Sequence, residues 1–261
     1  MKLKFVLLTL VTIFGTLTIS AQTADEIIDT YFENTGGFDN WNALNSMKSM
    51  ATINQDGVEF PLTIINMKDG RQMVQFEVQG KVLTQAFDGE VSWSTNFMTM
   101  EAEKSDDEST ENMKSESQDL PDPFLNYKDK GYAIELMGKE TVEGVECFKI
   151  KLTKKPQLVD GQDVDNISYH FFDTENFVPI VSESEIKSGQ MKGKISRSTF
   201  SDYDEVEGLY FPFSVTEGIK DMGAQTINFT SFEINPTIDD TMFKFPETAG
   251  TSTETTDEEG K

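Results

Sequence analysis

Period-two alternation of apolar and polar residues runs through most of the chain after Met47 and constrains the fold more than any other feature. In "MVQFEV", Val74, Phe76 and Val78 would share one strand face, with polar residues on the other. Asp-Gly and Glu-Gly pairs separate the alternating runs. Such pairs favour tight hairpin turns because their residues tolerate positive φ. The pattern predicts a mainly antiparallel β protein.

The turn signals set the number of strands. They are Asp56-Gly57, Asp69-Gly70, Asp88-Gly89, Glu143-Gly144 and Glu207-Gly208. Between and beyond them we count about eleven strands, and a twisted antiparallel sheet of that size tends to curl into a full or partial barrel. The predicted fold class is therefore mainly β with some α.

A single amphipathic helix is predicted ahead of the strands. Thr23 and Glu26 have the spacing of a capping box, and Gly36 is a natural left-handed stop. The apolar stripe of the helix consists of Ile27, Ile28, Tyr31 and Phe32. Because the mouth of an open barrel needs a cover, we predict that this stripe packs over an apolar concavity as a lid or plug.

The N-terminus has the features of a secretory signal. Lys2 and Lys4 precede an apolar run from Phe5 to Leu17, and Ala21 is a small residue suited to cleavage. The run is too short to span a membrane, so we expect residues 1–21 to be removed. A retained N-terminal anchor is the alternative. Since no cysteine stands at the cleavage point, we expect a periplasmic protein without a lipid anchor.

Length and charge favour one soluble domain. We expect this domain to cover residues 22–246 and an acidic, disordered tail to cover 247–261. Cys147 is the only cysteine, which excludes an internal disulfide. The formal charge of −24 would repel nucleic acid and anionic membrane surfaces. We expect a monomer with no nucleic-acid partner and no stable membrane insertion.

Two acidic segments interrupt the strand pattern. Residues 101–120 are polar and poor in β formers, which predicts a mobile loop or a surface helix. Asp160, Asp163 and Asp165 loosely resemble a calcium loop, but their spacing differs from that of an EF-hand. A solvated acidic turn is the alternative there.

Groups that could support catalysis are scarce. His170 is the only histidine and lies in the middle of a predicted strand, so no site with two histidines can form. Cys147 has no obvious activating base nearby, and no glycine-rich phosphate loop precedes a helix. We interpret both residues as structural. The prediction is a protein that is not an enzyme, with no catalytic residue, metal or cofactor.

Six segments, taken in order, resemble a known family. They are "ADEIIDTYFENTGGFDNWNALNSM", "TQAFDGEVSWSTN", "GYAIELMGKETVEGVECFKIKL", "FFDTENFVPIVSES", "FSDYDEVEGLYFPFSV" and "FEINPTIDDTMFKFP". Together, over about residues 24–246, they resemble the bacterial outer-membrane lipoprotein-sorting proteins, distant relatives of the Lol carrier and its receptor. The resemblance implies an incomplete, strongly curved antiparallel β-barrel with an N-terminal helical lid. It also implies an apolar concave face that holds acyl chains.

The leading hypothesis is a periplasmic carrier for an acylated lipoprotein or lipid, which would exchange with the lid helix for one apolar wall. The candidate wall consists of Leu62, Ile64, Val74, Phe76, Val78, Trp93, Phe211 and Phe213. Arg71 is a candidate for contacting the ligand headgroup or the lid. Core packing for the wall, and an ordinary edge charge for Arg71, are the alternatives.

Two other functions stay open at this point. The first is a structural or interaction module of the envelope, in which the barrel is filled by its own side chains and the acidic 101–120 segment binds a protein partner. The second is a carboxylate-based hydrolase, which would need two acids about 5 to 9 Å apart in a polar cleft.

Overall fold

The computed structural model describes residues 22–55 and 58–246, in which thirteen strands form one antiparallel sheet. The helices are α1 (Ala24–Asn34), α2 (Phe38–Asn42) and α3 (Asp107–Glu116). The strands are β1 (Ser46–Gln55), β2 (Val58–Met67), β3 (Gln72–Val78), β4 (Lys81–Phe87), β5 (Ser92–Thr95), β6 (Ala102–Lys104), β7 (Ala133–Val142), β8 (Val145–Thr153), β9 (Gln157–Val159), β10 (Gln162–Val164), β11 (Ile167–Asp173), β12 (Pro179–Glu185), β13 (Ile195–Val206), β14 (Leu209–Ile219) and β15 (Ala224–Ile234). The predicted signal, the Asp56-Gly57 turn and the tail lie outside the described residues.

The sheet is large and open. Its strand order is β6-β5-β4-β3-β2-β1-β15-β14-β13-β12-β11-β8-β7, with β6 and β7 as unpaired edges. Strands β9 and β10 form a separate hairpin. The prediction of an antiparallel sheet that does not close into a barrel is confirmed. The predicted strand count was too low, because β6, β9 and β10 are three residues each and show little alternation.

Several turns form as the residue pairs predict. Glu143 and Gly144 have φ values of 51° and 82°, and Glu207 and Gly208 have 52° and 86°. Two consecutive positive φ values define the type I′ turn that fits the right-handed twist of a hairpin. Gln79-Gly80 joins β3 and β4 in the same way. These tight turns fix the register of long antiparallel pairs.

The turns divide the molecule into two ends. The turns at 79–80 and 96–101 and the linkers at 186–194 and 220–223 all lie at one end, which we call the open end. The 173–178 turn lies at the opposite end, which we call the helix end. There α1 is tied to the sheet, since the side chain of Asn34 donates to the Asn176 carbonyl at 3.0 Å and the N–H of Tyr210 donates to the Thr35 carbonyl at 3.1 Å.

Helix α1 begins at the predicted capping box. The Thr23 N–H donates to the Glu26 carboxylate at 2.8 Å, and the Glu26 N–H donates to the Thr23 hydroxyl at 3.2 Å. The helix ends at Asn34, and the chain turns through Gly36 at φ 124° and Gly37 at φ 85°. Both ends of the helix thus follow from the local sequence.

The acidic segment folds into β6, α3 and a 3-10 turn, so the surface-helix alternative was the correct one. Asn112 of α3 forms two bonds with the backbone of Leu158: its amide donates to the carbonyl at 2.8 Å, and its oxygen accepts from the N–H at 2.9 Å. The Glu108 carboxylate accepts from the N–H groups of Asp160 and Gly161 at 3.1 and 2.7 Å. Helix α3 therefore holds the β9–β10 hairpin.

Candidate ligand-binding face

The sheet has two different faces. We call the face that packs against α1 and α2 the inner face, and the opposite one the outer face. The core of the inner face joins both helices and the 124–132 segment to side chains of β8, β11 and β14, namely Phe148, Ile150, Leu152, Phe172, Leu209 and Phe211. This core fills the helix end of the inner face.

The predicted lid residues belong to that core. Ile27 and Phe32 are 0% exposed, Ile28 is 1% and Tyr31 is 5%. The Tyr31 ring meets Phe172 edge-on at 5.5 Å. Fully burying four such side chains contributes roughly 6 to 12 kcal/mol in total. The helix is therefore firmly docked on the inner face.

Trp41 of α2 extends this core across the sheet. Its ring meets Phe211 at 5.4 Å, and Phe211 stacks on Phe232 at 4.9 Å with an angle of 17°. The Trp41 indole N–H donates to the Thr35 hydroxyl at 3.1 Å. Phe213 and Phe229 each lie 5.0 Å from the Phe232 ring, beyond the reach of the helices. An aromatic cluster thus leads from the core towards the open end.

Apolar side chains continue along the inner face as two registered rows. Directly paired residues of an antiparallel sheet project from the same face, so cross-strand register identifies neighbours. The first row is Phe229, Ala51, Leu62, Phe76 and Leu83, on β15, β1, β2, β3 and β4. The second row is Phe200, Val215, Ile227, Ile53 and Phe60, on β13, β14, β15, β1 and β2. We call these ten residues the apolar rows.

The apolar rows are only partly covered. Phe60, Phe76, Phe200, Ile227 and Phe229 are half-buried, and none belongs to the core under α1. They come from four strands, β2, β3, β13 and β15, that are far apart in the sequence. The inner face therefore offers a broad apolar surface at the open end, beside the docked helices.

The predicted wall residues do not all lie together. Leu62 and Phe76 lie in the first apolar row, and Ile64 and Val74 pair with each other on the same face. Val78, Phe211 and Phe213 project from this face too, by alternation along β3 and by the aromatic contacts of β14. Trp93 projects from the outer face. It packs with Ile65, Met73, Ala86 and Phe243, and its indole N–H donates to the Phe243 carbonyl at 2.8 Å.

Arg71 is held by its own chain. Its guanidinium forms ion pairs with Asp69 at 2.8 Å and Asp240 at 2.7 Å, and it lies 5.2 Å from the centre of the Phe243 ring. It joins the β2–β3 turn to the C-terminal 3-10 turn at the helix end. Because these partners occupy the guanidinium, the geometry favours a structural role for Arg71 over a headgroup contact.

A polar row lies beside the apolar rows, and the sequence analysis did not predict it. His170, Ser182, Ser198, Glu217 and Gln225 are paired in register across β11 to β15 on the inner face. A shorter row, Ser168, Ser184 and Ser196, runs next to it towards the open end. We call these eight residues the polar rows. The alternating "SESE" and "SRST" runs show that serines recur on one face of β12 and of β13. Only the register shows that the serines of the two strands are neighbours.

Most serine hydroxyls in the polar rows have no hydrogen-bond partner among the described residues. Among the described residues, the side chains of Ser182, Ser184, Ser196 and Ser198 form no hydrogen bond, although each is half-buried. Ser168 is the exception, because its hydroxyl lies 2.8 Å from Nε2 of His170. The inner face is therefore amphipathic: its hydroxyls lie on β11 to β13, and most of its apolar side chains at the open end lie on β14, β15 and β1 to β4.

His170 is uncharged in this setting. Burial, followed by the positive charge of Lys154, lowers its pKa to about 3. Its ring meets Phe124 edge-on at 4.8 Å. The Ser168–His170 pair has no acid hydrogen-bonded to the histidine among the described residues. An imidazole with so low a pKa is a poor general base at neutral pH, so the pair favours structure over nucleophilic chemistry.

A polar contact with the 120–132 segment also holds α1 on the inner face. The Tyr31 hydroxyl donates to Asp122 at 2.9 Å, and the Asp122 carboxylate also accepts from the Phe124 N–H at 2.7 Å. Burial raises the pKa of Asp122 and, together with the negative charge of Asp122, raises that of Tyr31. The 120–132 segment thereby ties the helix to the inner face.

A cleft opens at the end of α1. It has a volume of about 560 Å³ and is lined by residues that include Thr35, Val178, Ile180, Phe200 and Tyr203. Ligand pockets commonly have volumes of about 300 to 1,000 Å³. Phe200 also starts the second apolar row, so the cleft adjoins the apolar surface.

Two searches of the described residues bear on other functions. In residues 22–55 and 58–246, no group of three or more His, Cys, Asp or Glu side chains is arranged to hold a metal ion. Within the same residues, none of the helices has the length and apolar character needed to cross a membrane.

Comparisons with known proteins rest on structure. No protein-family model and no curated protein matches the sequence. A LolA-superfamily protein from Nitrosomonas europaea matches with a TM-score of 0.54 and 14% identity, over 86% of this chain and 98% of that one. A DUF1329-family protein from Desulfovibrio piger matches with a TM-score of 0.55 and 14% identity, over 84% and 96%.

A third solved structure agrees with these two. A domain assigned to outer-membrane lipoprotein sorting, from Vibrio parahaemolyticus, matches with a TM-score of 0.53 and 13% identity, over 84% of this chain and 94% of that one. Identities this low are informative about the fold alone. The chain therefore shares its overall fold with these three solved structures.

Proposed function

We propose that the protein is a non-enzymatic carrier of the cell envelope, exported to the periplasm, that holds the acyl chains of a lipoprotein or lipid. The observation that carries the proposal is the half-buried apolar surface at the open end of the inner face, built from the apolar rows. Contiguous apolar surface of this kind on a soluble protein is typical of a binding site. The shared fold with lipoprotein-sorting proteins supports the same function.

The size of the hydrophobic effect supports an acyl chain as the ligand. Each CH₂ group that leaves water contributes about 0.8 kcal/mol, so a twelve-carbon chain offers roughly 8 to 10 kcal/mol before binding costs. Phenylalanine supplies most of the adaptable surface in the rows. Such a surface selects for apolar length more than for a specific hydrogen-bond pattern.

The ligand binds beside α1 in this proposal. Displacing the helix would expose four fully buried side chains, at a cost of roughly 6 to 12 kcal/mol that one acyl chain could barely offset. A ligand that binds on the half-buried apolar rows displaces only water and does not have this cost. The polar end of the ligand would then face the polar rows, whose serine hydroxyls can both donate and accept hydrogen bonds.

Native mass spectrometry tests the proposal first. The chain from Gln22 onward, gently purified, should carry a lipid or acylated peptide that is lost on denaturation and identified after organic extraction. An apo protein that also takes up no fatty acid or lipoprotein on incubation would contradict the carrier function.

A matched pair of variants locates the site. Phe213→Ser removes a half-buried ring from the inner face, whereas Tyr169→Ser removes a half-buried ring from the outer face. We expect the first to weaken binding of a fluorescent twelve-carbon fatty acid by roughly tenfold, the equivalent of about 1.4 kcal/mol, and the second to leave it unchanged. Equal effects of both would place the ligand elsewhere.

An interaction module is the second candidate, favoured by the filled helix end. Helices α1 and α2 and the 124–132 segment occupy that part of the inner face with the chain's own side chains. In that case the apolar rows would be covered by a protein partner. Failure to take up any acyl ligand, together with binding of an envelope protein that is lost in Phe213→Ser, would support it.

A further inference from the structure

Exposed apolar side chains concentrate at the open end. Eleven large apolar side chains of the described residues are exposed, and six of them lie on or beside open-end turns. These six are Val58 (55% exposed), Val82 (51%), Phe97 (61%), Met98 (90%), Met191 (40%) and Met222 (53%). Val58 and Val82 lie at strand ends and the other four lie in three connections, so the exposed apolar residues are spread over several parts of the open end. We call these six residues the apolar rim.

The shape of one turn supports a surface role. The 96–101 turn is closed by Asn96, whose side-chain oxygen accepts from the N–H groups of Met98 and Thr99 at 2.9 and 3.2 Å. Its amide donates to Glu103 at 2.8 Å. The turn is thus held in place while it presents Phe97 and Met98 to solvent. Burying these side chains against another surface would be favourable.

The charge beside the rim is opposite to that of the chain. The 186–194 linker holds three lysines and no acid, although the formal charge of the chain is −24. Lys192 and Lys194 are exposed and form no ion pair among the described residues. Lys187 pairs with Glu185 at 2.9 Å. Met191 lies between these lysines, so apolar and cationic groups share one linker.

The neighbouring connection extends the patch. The Lys220 N–H donates to the Ile195 carbonyl at 2.9 Å, which places the 220–223 turn against the end of the linker. Met222 is exposed in that turn, and the Lys220 ammonium lies 2.9 Å from Glu183. Exposed acids are present at this end too, namely Glu59, Glu77, Glu101, Glu185 and Asp221. The net positive charge is local to the linker.

We propose that the open end docks peripherally on an anionic lipid bilayer, with the apolar rim in the interface and the 186–194 lysines against the headgroups. Apolar side chains at the tips of turns, flanked by lysines, suit a membrane interface. The charge of the whole chain predicts repulsion from such a surface, and the linker supplies local attraction. Docking here would place the apolar rows of the inner face next to the bilayer.

Vesicle sedimentation tests the docking surface. The chain from Gln22 to Lys261 is mixed with vesicles of phosphatidylcholine, with or without phosphatidylglycerol. We expect binding to the anionic vesicles that weakens steeply at about 1 M NaCl, where the Debye length is only about 3 Å. Absence of binding to either vesicle overturns the proposal, and so does binding that ignores both lipid charge and salt.

Two double variants separate the apolar contribution to vesicle binding from the electrostatic one. Phe97→Ser with Met98→Ser should weaken binding to anionic vesicles by about tenfold, because the most exposed apolar pair is lost. Lys192→Gln with Lys194→Gln should weaken it by about 25-fold, since each lysine near the surface contributes about fivefold. Full binding by both variants would overturn the assignment of the surface.

Matched controls and a second readout complete the test. Met50→Ser with Met137→Ser removes apolar side chains that are 45% and 49% exposed but lie in the middle of β1 and β7, and it should bind vesicles as the unmodified chain does. Lys139→Gln with Lys149→Gln is the control for charge. Uptake of a soluble fatty acid without vesicles should stay unchanged in all four variants. If the unmodified chain binds vesicles but takes up no fatty acid, the carrier function is contradicted while the docking surface stands.

Discussion

Gly36 shows how one residue couples α1 to the sheet. Its φ is 124°, and a Cβ added there would lie 2.3 Å from the Gly208 carbonyl oxygen and 2.9 Å from Leu209. We predict that Gly36→Ala lowers the free energy of unfolding by about 3 kcal/mol or more, since strain and a backbone clash add. Urea denaturation measures this change.

Gly37 is the matched control. Its φ of 85° and ψ of 148° also form a conformation that almost only glycine adopts, but a Cβ there would meet no atom within 4 Å. Gly37→Ala should therefore cost about 1 to 3 kcal/mol from the backbone conformation alone, less than Gly36→Ala, which adds a clash. Equal losses in the two variants would mean that the close approach of α1 to the β13–β14 turn contributes little.

His170 predicts a pH dependence of stability. Its pKa is about 3 in the folded chain and about 6.5 when exposed, so the unfolded chain binds more protons between these values. The free energy of unfolding should therefore fall as the pH falls through this window, by about 2 to 3 kcal/mol between pH 6.5 and 4.5. Urea denaturation across this range measures the slope.

The variant His170→Gln isolates this contribution. Glutamine can keep the contact with the Ser168 hydroxyl but does not titrate. The difference in stability between the two proteins should shrink as the pH is lowered from 6.5 towards 4.5. Parallel pH profiles would show that His170 binds protons equally in the folded and unfolded chains and would contradict its lowered pKa.

Individual residues were the hardest part to assign from sequence. Trp93 alternates correctly with its neighbours, but which strand face is the inner one depends on how β5 pairs with β4. Arg71 looked available because Asp240, its second partner, is 169 residues away in the chain. A sequence pattern gives the period of a strand but not the identity of the surface that it meets.

At the level of elements, the sequence signals were mostly sufficient. The capping box of α1 and the Glu143-Gly144 turn depend on contacts between residues at most three apart, which local chemistry determines. The β9–β10 hairpin escaped prediction because its stability comes from α3. That helix lies more than forty residues earlier in the chain, as the separation of 46 between Asn112 and Leu158 shows.

Asn112 therefore predicts the behaviour of an element. Asn112→Ala removes both bonds to the Leu158 backbone and leaves a half-buried N–H and carbonyl without partners. We expect a loss of about 1 to 3 kcal/mol of local stability. Hydrogen exchange should accelerate in residues 157–164 and not in β1 or β15.

An exposed position on the same helix controls for helix propensity. Glu111 is exposed, and its side chain forms no hydrogen bond among the described residues. Glu111→Ala should leave exchange in the β9–β10 hairpin unchanged. If both variants accelerate exchange equally, the hairpin is held by the helix as a whole and not by Asn112.

At the scale of the whole molecule, the candidate site is a product of topology. The second apolar row joins Phe200 to Phe60 through five adjacent strands, and these residues are 140 positions apart in sequence number. The strand β1 is central because it pairs with both β2 and β15, the first and last parts of the sheet. Period-two patterns predicted the apolar content of the wall. They could not predict that the polar rows lie beside it, because that depends on long-range register.

The same topology decides whether α1 acts as a plug that leaves or as a fixed wall. A ligand that displaced α1 would compete with four fully buried side chains and with the Tyr31–Asp122 hydrogen bond of 2.9 Å. A ligand that lies on the apolar rows competes only with water. The balance of these free energies favours a fixed helix.

A cross-link tests this at the scale of the whole molecule. Asn34→Cys with Asn176→Cys would join the end of α1 to the 173–178 turn, since the Asn34 side chain already reaches the Asn176 carbonyl at 3.0 Å. Cys147 is buried and burial raises its pKa to about 11, so it should not interfere. We predict that the oxidised variant takes up a twelve-carbon fatty acid as well as the reduced one. Uptake that appears only after reduction would show that α1 must leave the inner face, and the ligand would then occupy the helix end.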